Sequence, residues 1–206
     1  VAPGELEAAA DGRTARRDRN RRAVLDAVIE LFAEDVEPSP EAVAQRSGLS
    51  PRSVYRYFVD RDALVRAAIE RQLELVYPLY LIHALGEGDL AERIDRFVHS
   101  RLRLYEAVAD SARAARHRAW RDPVIREQVA ATRVALREQV ALQFAPELDA
   151  LDATPRRTTL AAIDALSQFD SLEYLRHAQG LSRGAVRAIL VGALERLLAP
   201  APPEAD

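Results

Sequence analysis

Apolar residues recur at intervals of three and four along nearly the whole chain, and no stretch alternates as a strand would. The pattern predicts an all-α fold. A first helix is expected from about Asn20 to Glu34, with Val24, Leu25, Val28, Ile29 and Phe32 on one face. Ser39-Pro40-Glu41 reads as an N-cap, a first-turn proline and an acidic first turn, opening a short helix that Gly48 ends. Ser50-Pro51 repeats the signal and opens another, through Phe58. Asp60 caps a fourth helix, Arg61 to Val76, which Pro78 ends or kinks. After a break at Gly86-Glu87-Gly88-Asp89 come a helix to Asp110, a short arginine-rich one from Ser111 to Trp120, and one from Asp122-Pro123 to Phe144. A long helix from Thr154-Pro155 to Gln179 and a last one, capped by Ser182 and reaching Ala199, complete the set. Residues 1–15 and 201–206 read as tails, the first of them disordered, and a domain division falls early in the fourth helix, separating 16–62 from 63–200.

Composition narrows the function classes. With 206 residues the chain can bury a core without covalent staples. It has no cysteine, which removes disulfides and thiolate metal sites. No apolar run approaches the roughly 18 residues of a membrane span, and the N-terminal segment is polar, so a soluble, cytoplasmic protein is expected. All 29 basic residues are arginine, so every cationic contact has a bidentate fork available. The net charge is −3, but it is unevenly spread. Arginines 16, 17, 19, 21 and 22 cluster ahead of the first helix, acids dominate Asp26 to Glu41, and Arg46, Arg52, Arg56 and Arg61 face Asp60 alone in the next block. A local electrostatic footprint for a polyanion is compatible with that balance. The arginines before the first helix read either as a solvated terminus or as an arm that reaches phosphates or a minor groove.

The two short helices between 41 and 58, joined through a glycine turn, form a helix-turn-helix pattern. At 100° per residue Val54 and Phe58 share one face of the second helix, Arg52, Ser53 and Arg56 point away, and Tyr55 and Tyr57 flank them. The apolar face can pack on the stripe of the first helix, leaving the polar face for solvent or for a major groove of about 12 Å that admits a helix. Tyrosine rings and hydroxyls suit phosphate and sugar contacts. The stretches "AVLDAVIELFAED" and "EAVAQRSGLSPRSVYRYFVDRDALV" resemble the N-terminal domain of TetR-type transcriptional regulators, over about residues 20–66. Phe32, Ala44, Gly48, Leu49, Ser50, Tyr55, Phe58, Arg61 and Leu64 carry the likeness. The resemblance implies that Pro51, Arg52, Ser53 and Tyr55 meet bases or the groove wall, with Arg56 on the same face. It implies that Ser39, Ser50, Tyr57 and Arg61 hold phosphates. Two departures lie upstream: Asp35 and Val36 stand where the family usually has a glycine, and Pro40 replaces an apolar residue.

Residues beyond 77 carry no strong motif. The resemblance implies a C-terminal helical ligand-binding and dimerisation domain, paired through the last two long helices. Apolar residues at every third position (Ile163, Leu166, Phe169, Leu172, Leu175) drift around a helix, so two of its sides are apolar and one can face a second subunit. Arg101 stands at the centre of the stripe formed by Ile94, Phe97, Val98, Tyr105 and Val108. It either bridges an internal acid such as Asp170, snorkels to an edge, or anchors an anionic ligand. Tyr105, Trp120, Thr132, Phe169 and Tyr174 are candidate lining residues. No metal site, cofactor or catalytic motif is apparent, since the four histidines are scattered. The expected function is a homodimeric regulator, a repressor released from a palindromic double-stranded DNA operator by a small-molecule effector. The alternatives are a helical scaffold that no longer reads DNA, or a helical enzyme.

Overall fold

The structure is a computed structural model that describes residues 3–199, with the side chains of residues 3–11 and 13 excepted. The tail expected at 201–206 lies outside the described residues. Among the described residues the elements are ten α-helices and one π-helical segment: α1 (Pro3–Ala33), α2 (Pro40–Ser47), α3 (Pro51–Tyr57), α4 (Arg61–Tyr80), α5 (Leu90–Arg118), α6 (Pro123–Gln143), α7 (Ala145–Asp149), α8 (Ala153–Ser167), α9 (Phe169–Glu173), the π-helical Tyr174–Ala178, and α10 (Arg183–Leu197). No helix among them is long and apolar enough to cross a membrane.

Four boundaries differ from the sequence reading. Helix α1 begins at Pro3, so residues 3–15 continue the helix where a disordered tail was expected; Glu5 to Ala10 are strong helix formers with no breaker. Helix α4 runs through Pro78 to Tyr80. Helix α5 continues past Ser111 to Arg118, because neither glycine nor proline interrupts the alanine-rich stretch there. The long helix expected from Thr154 to Gln179 is broken at Gln168, whose backbone is extended (ψ 155°). That break answers the period of three. A straight helix would carry successive apolar residues around its surface, whereas re-phasing at Gln168 leaves Ile163, Phe169 and Leu172 all buried.

The chain forms two compact units. The first takes the chain up to Val76 together with Asp110–Gln128; the second takes Tyr77–Ala109 and the chain from Val129 on. In the first, Val24, Leu25, Val28 and Leu31 of α1 pack with Val43 and Ala44 of α2, Val54 of α3, Phe58, and Leu64, Ala67 and Ala68 of α4. Burying about ten such side chains, at roughly 1.5–3 kcal/mol each for the larger ones, holds the short α2 and α3, which are too short to persist alone. In the second, Phe97 meets Phe144 edge-on at 5.3 Å. The buried Arg93 donates to Glu147 and, at 3.0 Å, to the Gln143 carbonyl. Gln143 is fully buried and satisfied, accepting from Gly86 N–H at 2.9 Å and donating to the Arg93 carbonyl at 2.8 Å.

Candidate functional site

The chain reaches α2 through a tight turn in which Asp35 takes a left-handed backbone conformation (φ 57°). Ser39 then caps α2, its hydroxyl accepting from Ala42 N–H at 3.2 Å while Pro40 occupies the first turn. Gly48 closes α2 in the left-handed region (φ 71°), where a β-carbon would be strained, and Leu49 N–H reaches back to the Ala44 carbonyl at 3.1 Å. Two residues later Ser50 caps α3, accepting from Ser53 N–H at 3.3 Å. Its hydroxyl also meets the Ser53 hydroxyl at 3.0 Å. Asp60 caps α4 by accepting from Ala63 N–H at 2.7 Å. The turn and the caps thus fix the angle of α3 from local chemistry, and Val54 and Phe58 pin its inner face to the core.

The outer face of α3 carries Arg52, Tyr55 and Arg56, all exposed, Tyr55 to 64%. Pro51 is exposed in the first turn and Ser53 is half-buried beside it. Tyr57 is half-buried, packs against the core, and lies beneath Arg56: the guanidinium sits 5.3 Å from the ring centroid and donates to the phenol oxygen at 3.3 Å. Ser39 and Ser50 have their hydroxyls engaged as helix caps.

The arginines of this block divide into two kinds. Arg46 binds Glu34 through a two-pronged contact at 2.8 and 2.7 Å and reaches Glu30 at 3.4 Å. The hydrogen bonds to Glu34, then Glu30, push its basicity up, and the same contact holds the Glu34 carboxyl below its ordinary range. Arg61 does not stand free for a phosphate. It pairs with Glu37 and Asp122, each at 2.9 Å. Partial burial works against its charge, but the contacts with Asp122 and Glu37 outweigh that and leave its pKa raised. Among the described residues no acid pairs with Arg52 or Arg56. Their charge is therefore available on the outer face of α3, while that of Arg46 and Arg61 is neutralised within the unit.

A second arginine closes the same network. Arg118, near the end of α5, is almost buried, pairs with Asp35 at 3.2 Å and Glu37 at 3.1 Å, and lies 4.8 Å from the Phe32 ring centroid. Asp122 caps α6, accepting from Val124 and Ile125 N–H at 2.9 and 3.2 Å. The segment 110–128 is thereby tied to the α1–α2 turn and to the start of α4. Sequence reasoning noted Asp35 and the helix start at Asp122 but not the network that joins them to Glu37, Arg61 and Arg118; its one signal was an acid standing where the family's glycine usually does.

No protein-family model matches the sequence, and no curated protein is similar to it at a significant level. Solved structures are similar. One, described as a TetR-family transcriptional regulator from Rhodococcus sp., is 23% identical, with a TM-score of 0.64 over 87% of this chain and 99% of that one. A TetR-family regulator from Streptomyces coelicolor is 19% identical, with a TM-score of 0.66 over 87% of this chain and 80% of that one. The multidrug binding protein EbrR, complexed with imidazole, is 19% identical, with a TM-score of 0.58 over 90% and 98%. The fold is TetR-type.

Within this TetR-type fold the second unit contains most of the expected ligand residues, but it does not gather them all. Arg101 is 2% exposed and donates to Gln139 Oε1 at 2.8 Å and to the Leu136 carbonyl at 2.9 Å, with the Phe97 ring centroid at 4.7 Å. It is not paired with Asp170, which is exposed and binds Arg133 at 2.9 Å. Tyr105 and Phe169 are buried together, centroids 5.3 Å apart, and the Tyr105 hydroxyl donates to Glu173 at 2.7 Å. Thr132 is half-buried and Tyr174 is exposed. Trp120 is 87% exposed and belongs to the first unit, so it lines no buried site in the second; it follows α5 in a turn where no apolar neighbour covers the ring. Among the described residues no group of His, Cys, Asp and Glu is arranged to hold a metal ion.

Proposed function

We propose that the protein is a DNA-binding transcriptional regulator, a repressor that leaves a palindromic operator when a small molecule binds its second unit. The observation that carries this reading is the outer face of α3. Arg52, Arg56 and Tyr55 stand exposed and free of acid partners on a capped helix anchored from behind. In that position Arg52 can fork the O6 and N7 of a guanine, and Arg56 and Tyr55 can meet phosphate or the groove wall. Ser39, Ser50 and Tyr57 flank them and can still donate or accept at phosphates through their free valences. The TetR-type fold, and the ligand-binding name of one structural neighbour, support a regulator over a scaffold or an enzyme.

One head makes few contacts, so two copies related by a dyad are required to read a palindrome. The last two long helices, α8 and α10, supply a surface for this. Val186, Leu190 and Leu194 of α10 face inward, whereas Ile189 is 42% exposed beside Ala185, Ala188 and Gly192. Effector binding would act as a population shift, selecting a dimer whose heads are wrongly spaced. Helix α4, like α5 and α6, runs from one unit into the other, and it is the proposed conduit because it leads directly from α3.

The test is fluorescence anisotropy on DNA flanking the protein's own gene, at several salt concentrations. A sequence-specific complex is expected, with Arg52→Ala losing about 1–3 kcal/mol of discrimination per head at one base position. Equal weakening on all sequences would remove Arg52 as a base reader. No preference at any salt concentration would favour the scaffold.

A further inference from the structure

Buried polar groups without partners are rare in native proteins and ask for an explanation. Among the described residues four side-chain atoms qualify: Ser100 Oγ, Arg101 Nε, Arg118 Nε and Gln168 Oε1. Three of them, Ser100, Arg101 and Gln168, belong to the second unit. Arg101 is the most telling. Its two hydrogen bonds go to neutral acceptors, the Gln139 amide oxygen and the Leu136 carbonyl, and the Phe97 ring covers it. Among the described residues no carboxylate lies within ion-pair distance. Asp164 acts on it through space without a hydrogen bond, and one Asp164 oxygen is already held by Gln168 Nε2 at 2.6 Å. Desolvation pulls the guanidinium pKa down to about 10, against the pull of Asp164 and Tyr80, so it remains a cation at neutral pH. A buried cation with only neutral partners is expensive to keep, and replacing such groups by apolar ones is often neutral or stabilising. The fold bears that cost, which is expected where the compensating charge arrives from outside.

We propose that Arg101 anchors the carboxylate of a small organic monoanion, which takes the place of Gln139 Oε1 on the guanidinium. The inference rests on the effector-response reading above and names the effector's chemical class. A monoanion matches the single guanidinium, and Asp164, which acts on the same site, disfavours the second charge of a phosphate dianion. The rest of the ligand is apolar or aromatic, because the Phe97 ring lies against the guanidinium and the α5 residues that share its stripe, Ile94, Val98 and Tyr105, are buried. Gln139 also makes the site informative to the rest of the chain. Its Nε2 donates at 2.7 Å to the carbonyl of Tyr80, the last residue of α4, so a carboxylate that takes its place on Arg101 also frees the end of that helix.

The experiment uses the full chain and thermal unfolding. The probes are sodium salts of straight-chain and aromatic monocarboxylates, each against its own primary amide. At about a hundred times Kd, a carboxylate that binds is expected to raise Tm by roughly 5–10 °C, while its amide does not. Arg101→Met abolishes the shift and raises the ligand-free Tm or leaves it level. Arg101→Lys keeps a cation without the fork and gives a reduced shift, so the test survives if the methionine variant does not fold. The proposal is overturned if no carboxylate shifts the wild type, if amides shift it equally, if the shift persists in Arg101→Met, or if a folded Arg101→Met is markedly less stable without ligand. In that last case the guanidinium is a structural donor. Operator binding is measured on the same wild-type sample. Carboxylate shifts without any specific DNA complex would overturn the regulator reading and leave the anion site standing.

Discussion

Arg61 decides between two accounts of the start of α4, one in which it clamps phosphate and one in which it ties the first unit together. The perturbation is Arg61→Ala. It removes contacts of 2.9 Å to Glu37 and 2.9 Å to Asp122. The Asp122 side chain is only 7% exposed, whereas that of Arg61 is 45% exposed. Breaking a fully buried pair costs about 3–5 kcal/mol, and breaking an exposed one about 0.2–1 kcal/mol. Here one partner is buried and the other half in water. Asp122 also keeps its two backbone donors at the start of α6, so its charge is not orphaned. The loss should therefore be about 1–2 kcal/mol, equivalent to a fall in Tm of roughly 2–8 °C for a chain of this size. Urea unfolding of Arg61→Ala, Asp122→Asn and the double variant isolates the pair, and a coupling of about 1 kcal/mol is expected. The slope of log K against log salt for operator binding should hardly change, because the guanidinium is already neutralised inside the protein. Wild-type stability together with a slope reduced by about 0.9 per head would refute the reasoning and return Arg61 to a phosphate.

Two further outcomes follow from other parts of the molecule. Asp35 holds a left-handed backbone (φ 57°) and pairs with Arg118 at 3.2 Å, so Asp35→Ala loses the pair and keeps the strain, while Asp35→Gly loses only the pair. In urea unfolding the alanine variant should be about 1 kcal/mol less stable than the glycine variant, and equal stabilities would show that the turn stores no strain. If α10 forms the proposed dimer surface, Ile189→Glu places a charge in it, and light scattering should report monomer at concentrations where the wild type is a dimer. An unchanged mass would move the interface elsewhere.

What could be read from the sequence was what depends on neighbours a few residues apart. Ser39-Pro40, Ser50-Pro51 and Gly48 act on backbone groups within one turn, so the start and stop of α2 and α3 follow from side-chain chemistry alone. The division of α3 into an anchored face and an outer face follows from the 100° step. What could not be read depended on partners far along the chain. Arg61 meets Asp122, Arg118 meets Glu37, and Arg101 meets Gln139, and in a chain whose cations are all arginine, composition does not say which will be paired. The same arginine-rich face pattern describes Arg46, which is neutralised by Glu34, and Arg52, which is not. The break at Gln168 was visible only as an odd period of three, a signal that a continuous helix with two apolar sides would also produce.

The first unit is discontinuous in sequence: it needs 110–128 as well as the residues up to Val76. A recombinant fragment cut after α4 would carry Asp35, Glu37 and Arg61 without Arg118 and Asp122. Under the proposed function, exchanging DNA specificity between two proteins of this fold therefore calls for two grafts made together, α1–α4 and the α5–α6 corner that fastens them. Transplanting α3 alone, whose outer side chains make no ion pairs among the described residues, is the smaller and safer operation.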